Sequence, residues 1–191
     1  MEIEYEATFI NINREEIIEK LKNAGAKLIK PEFLQKRSVF DLPKGHEIPG
    51  GWARVRDEKD KITMSLKIVD GEKIENQKEL CLTVNNFKDA EEFLIQIGCR
   101  KKAYQENKRE LWILDEVEIT IDEWPFLDPF IEIEGKTEKE VKAVTEKLGL
   151  DYADALFCCV DVIYSKKYNI SKDVVNNQTP EILFGENNPF I

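Results

Sequence analysis

The sequence predicts an α+β protein: an antiparallel sheet with helices packed on it and charged residues gathered on its other face. Three observations carry this. Strand-like segments alternate apolar and charged residues with a period of two. Three helical segments repeat apolar residues at three and four and stop at glycine. The 191 residues, 42% of them hydrophobic, suffice for one domain with a sizeable core.

The chain opens on "EIEYEATF", residues 2–9, where Glu2, Glu4, Glu6 and Thr8 share one strand face and Ile3, Tyr5, Ala7 and Phe9 the other. Neighbours at i and i+2 lie about 6–7 Å apart, so three carboxylates on one face require water, a cation or basic side chains opposite. The first predicted helix, "NREEIIEKLKNAG", takes Asn13 as its N-cap, presents Ile17, Ile18 and Leu21, and ends at Gly25. Next come "FLQKRSVFDL", then "GWARVRDE" with Arg54 and Arg56 on one face, and "ITMSLKIV" with Ile62, Met64, Leu66 and Ile68 opposite Thr63, Ser65 and Lys67. The second helix, "KDAEEFLIQIG", presents Phe93, Leu94 and Ile97 and stops at Gly98. "YQENKRELWIL" follows it as "FLQKRSVFDL" follows the first, each with a Lys-Arg pair about a dozen residues after its glycine, which indicates an internal repeat. In "EVEITIDEW", Val117, Ile119 and Ile121 oppose Glu118, Thr120 and Asp122; in "PFIEIEG", Ile131 and Ile133 oppose Glu132 and Glu134. The third helix, "TEKEVKAVTEKLG", is capped by Thr137, presents Val141, Val144 and Leu148, and ends at Gly149.

Alternation alone fits a sheet with one face in solvent. The density of Arg, Glu and Asp on the polar faces fits a sheet closed into a barrel with those faces inward, where carboxylates meet arginines across a lumen. Such a lumen suits a hard divalent cation on the carboxylates and a phosphate chain held by Arg and Lys.

The net charge of −10 argues against a nucleic-acid binder. Neither a leader nor a run of about 18 apolar residues is visible, so the expectation is a cytoplasmic protein away from membranes. Cys81, Cys99, Cys158 and Cys159 have no CxxC spacing and read as buried thiols. The sequon at Asn169–Ser171 lacks a secretory context. His46 lies in a Gly- and Pro-rich loop and reads as solvated, Trp124 and Pro125 as turn-shaping, and no Ser/His/Asp or Cys/His catalytic set is present.

The opening strand resembles the ExExK signature of the CYTH, or triphosphate tunnel metalloenzyme, superfamily. The later "KRSVFD", "WARVRDE", "SLK", "KELCLTV" and "KRELWILDEVEITIDEWPFLDPFIEIEG" follow in similar order over roughly residues 1–165. The resemblance implies an eight-stranded antiparallel barrel, the triphosphate tunnel, with helices outside, binding Mg²⁺ or Mn²⁺ with a triphosphate. It implies metal ligands among Glu2, Glu4, Glu132, Glu134 and Glu79, and phosphate contacts from Arg54, Arg56, Lys67, Arg109 and, more weakly, Arg37. It assigns Asp122, Lys67 and Arg109 to the reacting centre. Two positions depart from the pattern: Glu6 replaces the signature lysine, and Asn107 stands where members often carry a lysine, which Lys101, Lys102 or Lys108 would have to replace.

The expected activity is that of a class IV adenylate cyclase, ATP to cyclic AMP and pyrophosphate. The alternatives are hydrolysis of inorganic or thiamine triphosphate, a polyphosphate-binding module without turnover, and a scaffold for a protein partner. The expected tunnel domain is 1–168, with an extension at 169–191 that folds over a barrel mouth, packs on another subunit or stays flexible. The sequence sets no oligomeric state; a homodimer is compatible with it.

Overall fold

The computed structural model describes all residues, 1–191. Its strands follow the predicted alternation: β1 (Glu2–Ile3), β2 (Tyr5–Phe9), β3 (Lys27–Asp41), β4 (Gly51–Asp57), β5 (Ile62–Val69), β6 (Gln77–Val84), β7 (Arg100–Leu114), β8 (Val117–Glu123), β9 (Phe130–Gly135) and β10 (Glu181–Ile182). The hydrogen-bonded order is β1-β6-β5-β4-β3-β7-β8-β9-β2, antiparallel throughout. β1 and β2 are one strand interrupted at Glu4, its first part paired with β6 and its second with β9. Counted as one, they make the sheet an eight-stranded, nearly closed barrel, as expected. A gap remains where β6 runs past the two-residue β1.

The repeat seen in the sequence is a repeat of architecture. A strand, a helix, a fifteen-residue strand and two further strands occur twice, and the two long strands β3 and β7 pair along one seam, Gln35 opposite Asn107. The helices are α1 (Arg14–Asn23), α2 (Phe87–Gln96), α3 (Glu138–Lys147) and α4 (Val160–Tyr168). Asn13 caps α1 by accepting from the Glu16 N–H, and Thr137 forms a capping box with Glu140 on α3. Gly25 and Gly98, with φ of +83° and +96°, turn the chain out of α1 and α2 through the left-handed region.

The helices cover the outer faces. Ile17 and Leu21 of α1 and Val141, Val144 and Leu148 of α3 bury Ala7, Phe9, Ile119, Ile121, Ile131 and Ile133 of β2, β8 and β9. α2 covers β4 through Ala90 and Leu94, against Ala53 and Val55. Here the expected apolar face needs correction: Leu94 is buried, but Phe93 and Ile97 are 54% and 52% exposed. The helix starts at the Asn86 cap, and its buried stripe is the i, i+4 pair Ala90 and Leu94.

The segment after α3 packs over one barrel end. Ile163 and Tyr164 of α4, Val175, Ile182 and Phe190 join Trp124, Leu127 and Phe130 in a second core. Tyr164 donates to the Pro125 carbonyl at 2.7 Å, and β10 pairs in parallel with β7. Residues 169–191 fold back on their own barrel, with Val175, Ile182 and Phe190 buried there. Ile182 is fully buried. Ile182→Ala is expected to cost about 2–4 kcal/mol, measured by chemical unfolding; an unchanged midpoint would show that the tail does not contribute to the folded core.

The cysteine expectation holds only for Cys99. Cys81 is exposed where β6 passes the end of β1, and Cys158 and Cys159 are half-buried. No helix is long and apolar enough to cross a membrane.

Candidate functional site

The barrel encloses a cavity of about 1100 Å³ with two chemically opposed walls. β3, β4 and β5 contribute Arg37, Arg54, Arg56 and Lys67. Opposite them, the β1–β2 strand, β8 and β9 contribute Glu4, Glu6, Glu118, Glu132 and Glu134. Arg109 on β7 and Glu79 on β6 stand at the two seams between these walls. Period-two alternation on eight strands is what turns these side chains inward together.

Most of the basic residues are held by carboxylates. Arg54 donates to Glu79 at 2.9 Å, and Lys67 lies 2.8 Å from Glu4 and 3.7 Å from Glu79. Arg109 grips Asp122 with both its Nε (2.9 Å) and a terminal nitrogen (2.7 Å), and reaches Glu132 at 2.6 Å. Arg37 is different: its partners are the amide oxygens of Gln35 and Asn107, its guanidinium lies 4.5 Å from the Trp124 ring centroid, and its Nε has no partner. Burial, with Arg54, Arg56 and Arg109 nearby, holds Arg37 well below the usual guanidinium range. Burial and Arg54 lower Arg56 as well. This wall concentrates buried positive charge.

The opposite wall has the complementary shortage. Glu6 is directly across from Glu134, and Glu134 from Glu118, so three carboxylates lie in one row over three strands. Burial pushes Glu6 well above the ordinary carboxylate value, with Glu132 adding to the effect; burial also raises Glu132 and Glu134. Glu4 is pushed up to about 7 by burial and by its contact with Glu79. Burial opposes the charge on Glu79 too, but Arg54, Glu4 and Lys67 outweigh it and hold Glu79 below its ordinary value. On Lys67, burial is outweighed by Glu6 and Glu4, which raise it.

Most of the expected site residues line the cavity: Arg37, Arg54, Arg56, Lys67, Glu79, Arg109, Glu4, Glu132 and Glu134. Glu2 does not. It lies exposed on β1 beside the gap, so the acidic pair inside the barrel is Glu4 and Glu6, followed by buried Thr8. Glu6 is therefore part of the acidic wall, and Thr8 is the next inward position on that strand.

Asp122 lies behind the cavity lining. It is fully buried and accepts from Arg109 twice, Asn107 at 2.6 Å and Thr120 at 2.9 Å. With its oxygens so occupied it fixes Arg109 and leaves no lone pair aimed at a substrate. Asn107 links Arg37 to Asp122. Of the three lysines considered as replacements, Lys102 lines the cavity, paired with Asp41 at 3.3 Å, while Lys101 and Lys108 pair with Glu91 and Glu123 outside the cavity lining. Trp124 does more than shape a turn, since it supports Arg37. Glu58, Glu118, Cys158, Cys159 and Lys172 line the cavity without having been expected at the site; strand parity signalled Glu118, and Glu58 two residues past Arg56, while no sequence signal marked the others.

A family model of the CYTH domain matches residues 2–155. The chain belongs to the CYTH domain family. Similar solved structures include a conserved hypothetical protein from Pyrococcus furiosus, 20% identical, covering 82% of this chain and 96% of that one, TM-score 0.68. A candidate adenylate cyclase from Vibrio parahaemolyticus is 15% identical over 86% of this chain and 98% of that one, TM-score 0.73. A Hippeastrum candidate adenylyl cyclase, named for a dominant triphosphatase activity, is 13% identical over 90% and 97%, TM-score 0.55. At these identities the likeness is one of fold. No curated protein sequence matches this CYTH chain significantly.

As the side chains stand, no three His, Cys, Asp or Glu groups converge on one point, and Lys67 and Arg109 are paired with Glu4 and Glu132. The donor chemistry nonetheless fits a hard divalent cation: the wall is dense in carboxylate oxygens, and while Glu4 and Glu132 are paired with Lys67 and Arg109, Glu6, Glu118 and Glu134 have no basic side chain within ion-pair distance.

Proposed function

We propose that this CYTH protein is an enzyme that cleaves a triphosphate bound in the barrel with Mg²⁺ or Mn²⁺, and that ATP, converted to cyclic AMP and pyrophosphate, is its substrate. One observation supports the triphosphate above all: a buried row of Arg and Lys, in which Arg37 has no carboxylate partner, faces a buried acidic wall in which Glu6, Glu118 and Glu134 have no basic one, across one cavity. A phosphate chain with its divalent cation satisfies both.

Arg54, Arg56, Lys67 and Arg109 bind and orient the phosphate oxygens, the arginines as planar forks and Lys67 as a point charge. Asp122 and Asn107 keep Arg109 and Arg37 aimed. The cation, on Glu4, Glu6, Glu132 and Glu134, would neutralise charge on the phosphoryl oxygens. Guanidinium groups held in place in a cavity of low dielectric stabilise the charge that develops as the phosphorus–oxygen bond breaks. The cavity volume leaves room for a nucleoside, and half-exposed Trp52 at its wall offers a flat apolar surface for a base.

The test is product analysis with purified protein, Mg²⁺ or Mn²⁺, and ATP, inorganic triphosphate or thiamine triphosphate in separate reactions, with Glu4→Gln as control. Cyclic AMP and pyrophosphate, lost in the variant, are expected. Orthophosphate without cyclic AMP would make water the nucleophile and the protein a triphosphatase. Binding without turnover of any triphosphate would make it a binding module.

A further inference from the structure

The basic wall ends in an acid. On β4 the inward positions run Arg54, Arg56 and, just past the strand, Glu58, only 7% exposed. One Glu58 carboxylate oxygen accepts from Arg56 Nε at 2.9 Å and lies 2.8 Å from a terminal nitrogen of the same guanidinium. Thr63 donates to that oxygen at 3.3 Å, and Lys61 is 3.5 Å from the other. The Glu58 backbone is held as well: Lys30 donates to its carbonyl at 2.5 Å, pairs with Asp60, and lies over the Phe33 ring at 3.7 Å. Burial opposes the charge on this carboxyl, but Arg56 and Lys61 outweigh it and keep it below its ordinary value, so the group is ionised at neutral pH.

Glu58 is thus a fixed negative charge at one end of the guanidinium row. A phosphate chain lying along Arg54 and Arg56 has this carboxylate as its next neighbour. A further phosphoryl group in the same direction would meet a like charge in a poorly screened place and would compete with Glu58 for Arg56. We propose that Glu58 sets the length of the phosphate chain the cavity accepts, admitting a triphosphate and rejecting longer linear polyphosphates. This rests on the reading of the lumen as a triphosphate site. Glu58 acts here by exclusion, as a specificity-determining residue.

The experiment is calorimetric titration of the full chain with Mg²⁺ and either inorganic triphosphate or inorganic tetraphosphate, for wild type, Glu58→Gln and Glu58→Asp. Wild type is expected to prefer triphosphate by about tenfold or more after screening. Glu58→Gln, isosteric but neutral, should lose most of that preference, and Glu58→Asp, which keeps the charge, should retain it. Equal binding of the two phosphates by wild type overturns the proposal even if a variant fails to fold. So does an unchanged preference in Glu58→Gln. If wild type binds neither phosphate, the triphosphate-site reading itself fails and takes the proposal with it, an outcome distinct from both of the others.

Discussion

Replacing Arg109 with alanine is expected to lower kcat/KM on any triphosphate substrate by on the order of 10²–10³-fold, since a fixed donor to developing phosphoryl charge is lost. The same substitution strips fully buried Asp122 of two of its four donors and Glu132 of its cation. Breaking a buried pair from one side leaves an uncompensated charge, so a stability loss of about 3–5 kcal/mol should accompany the kinetic effect in urea unfolding. Arg109→Lys separates the two. Its ammonium still neutralises the site but cannot span both Asp122 oxygens as a fork, so most of the stability should return while activity stays low. A lysine variant with wild-type turnover would show that the fork geometry at this seam is not used. An alanine variant as stable as wild type would show that Asp122 is satisfied without Arg109.

The strands were legible because their signal is repeated; alternation alone fits an open sheet as well, and the eight-stranded closure was expected from the resemblance to the CYTH superfamily. Eight inward-facing strands each carry alternating charge, and a one-residue slip in any of them would put arginine or glutamate into the apolar outer layer. The helices were legible through their caps and glycine stops, but the buried side of α2 was not. Phe93, Leu94 and Ile97 look like one stripe in sequence, and only the neighbours supplied by β4 select Ala90 and Leu94 instead. At the site, strand parity found the arginines and most of the acids. It misplaced the start of the acidic series, because Glu2, Glu4 and Glu6 have identical spacing and only the fold shows that Glu2 is exposed at the strand end and outside the cavity lining. The hydrogen bonds that hold Asp122 could not be read, since three of the four come from Asn107 and Arg109 on another strand. The contribution of residues 155–176 to the cavity wall lies in tertiary folding over the barrel end, which leaves no periodic trace in sequence.

The acidic wall leads to the second large effect, one of opposite sign for stability and activity. Glu4 titrates near 7 in the folded protein, against about 4.5 when unfolded. A carboxyl raised in this way binds its proton more tightly in the native state. Its contribution favours folding at low pH, declines as pH rises from about 4.5 through about 7, and is then level. Glu6, Glu132 and Glu134 are raised too and act in the same direction, while Glu79, lowered, acts in the opposite one. Without divalent cation, wild type should therefore lose melting temperature between pH 6 and pH 8. Glu4→Gln, which keeps the shape and the capacity to donate toward Glu79, should lose less. At pH 8 the variant is expected to be more stable by roughly 2 kcal/mol, or about 4–8 °C. Its turnover should nonetheless be abolished, since the cation loses a ligand. Adding Mg²⁺ should then raise the melting temperature of wild type more than that of the variant, and more at pH 8 than at pH 6, because the cation binds only deprotonated carboxylates. Thermal scans with chelator and with Mg²⁺ across this range decide the matter. Parallel pH profiles for the two proteins would mean that Glu4 is already ionised and compensated by Lys67 without a cation.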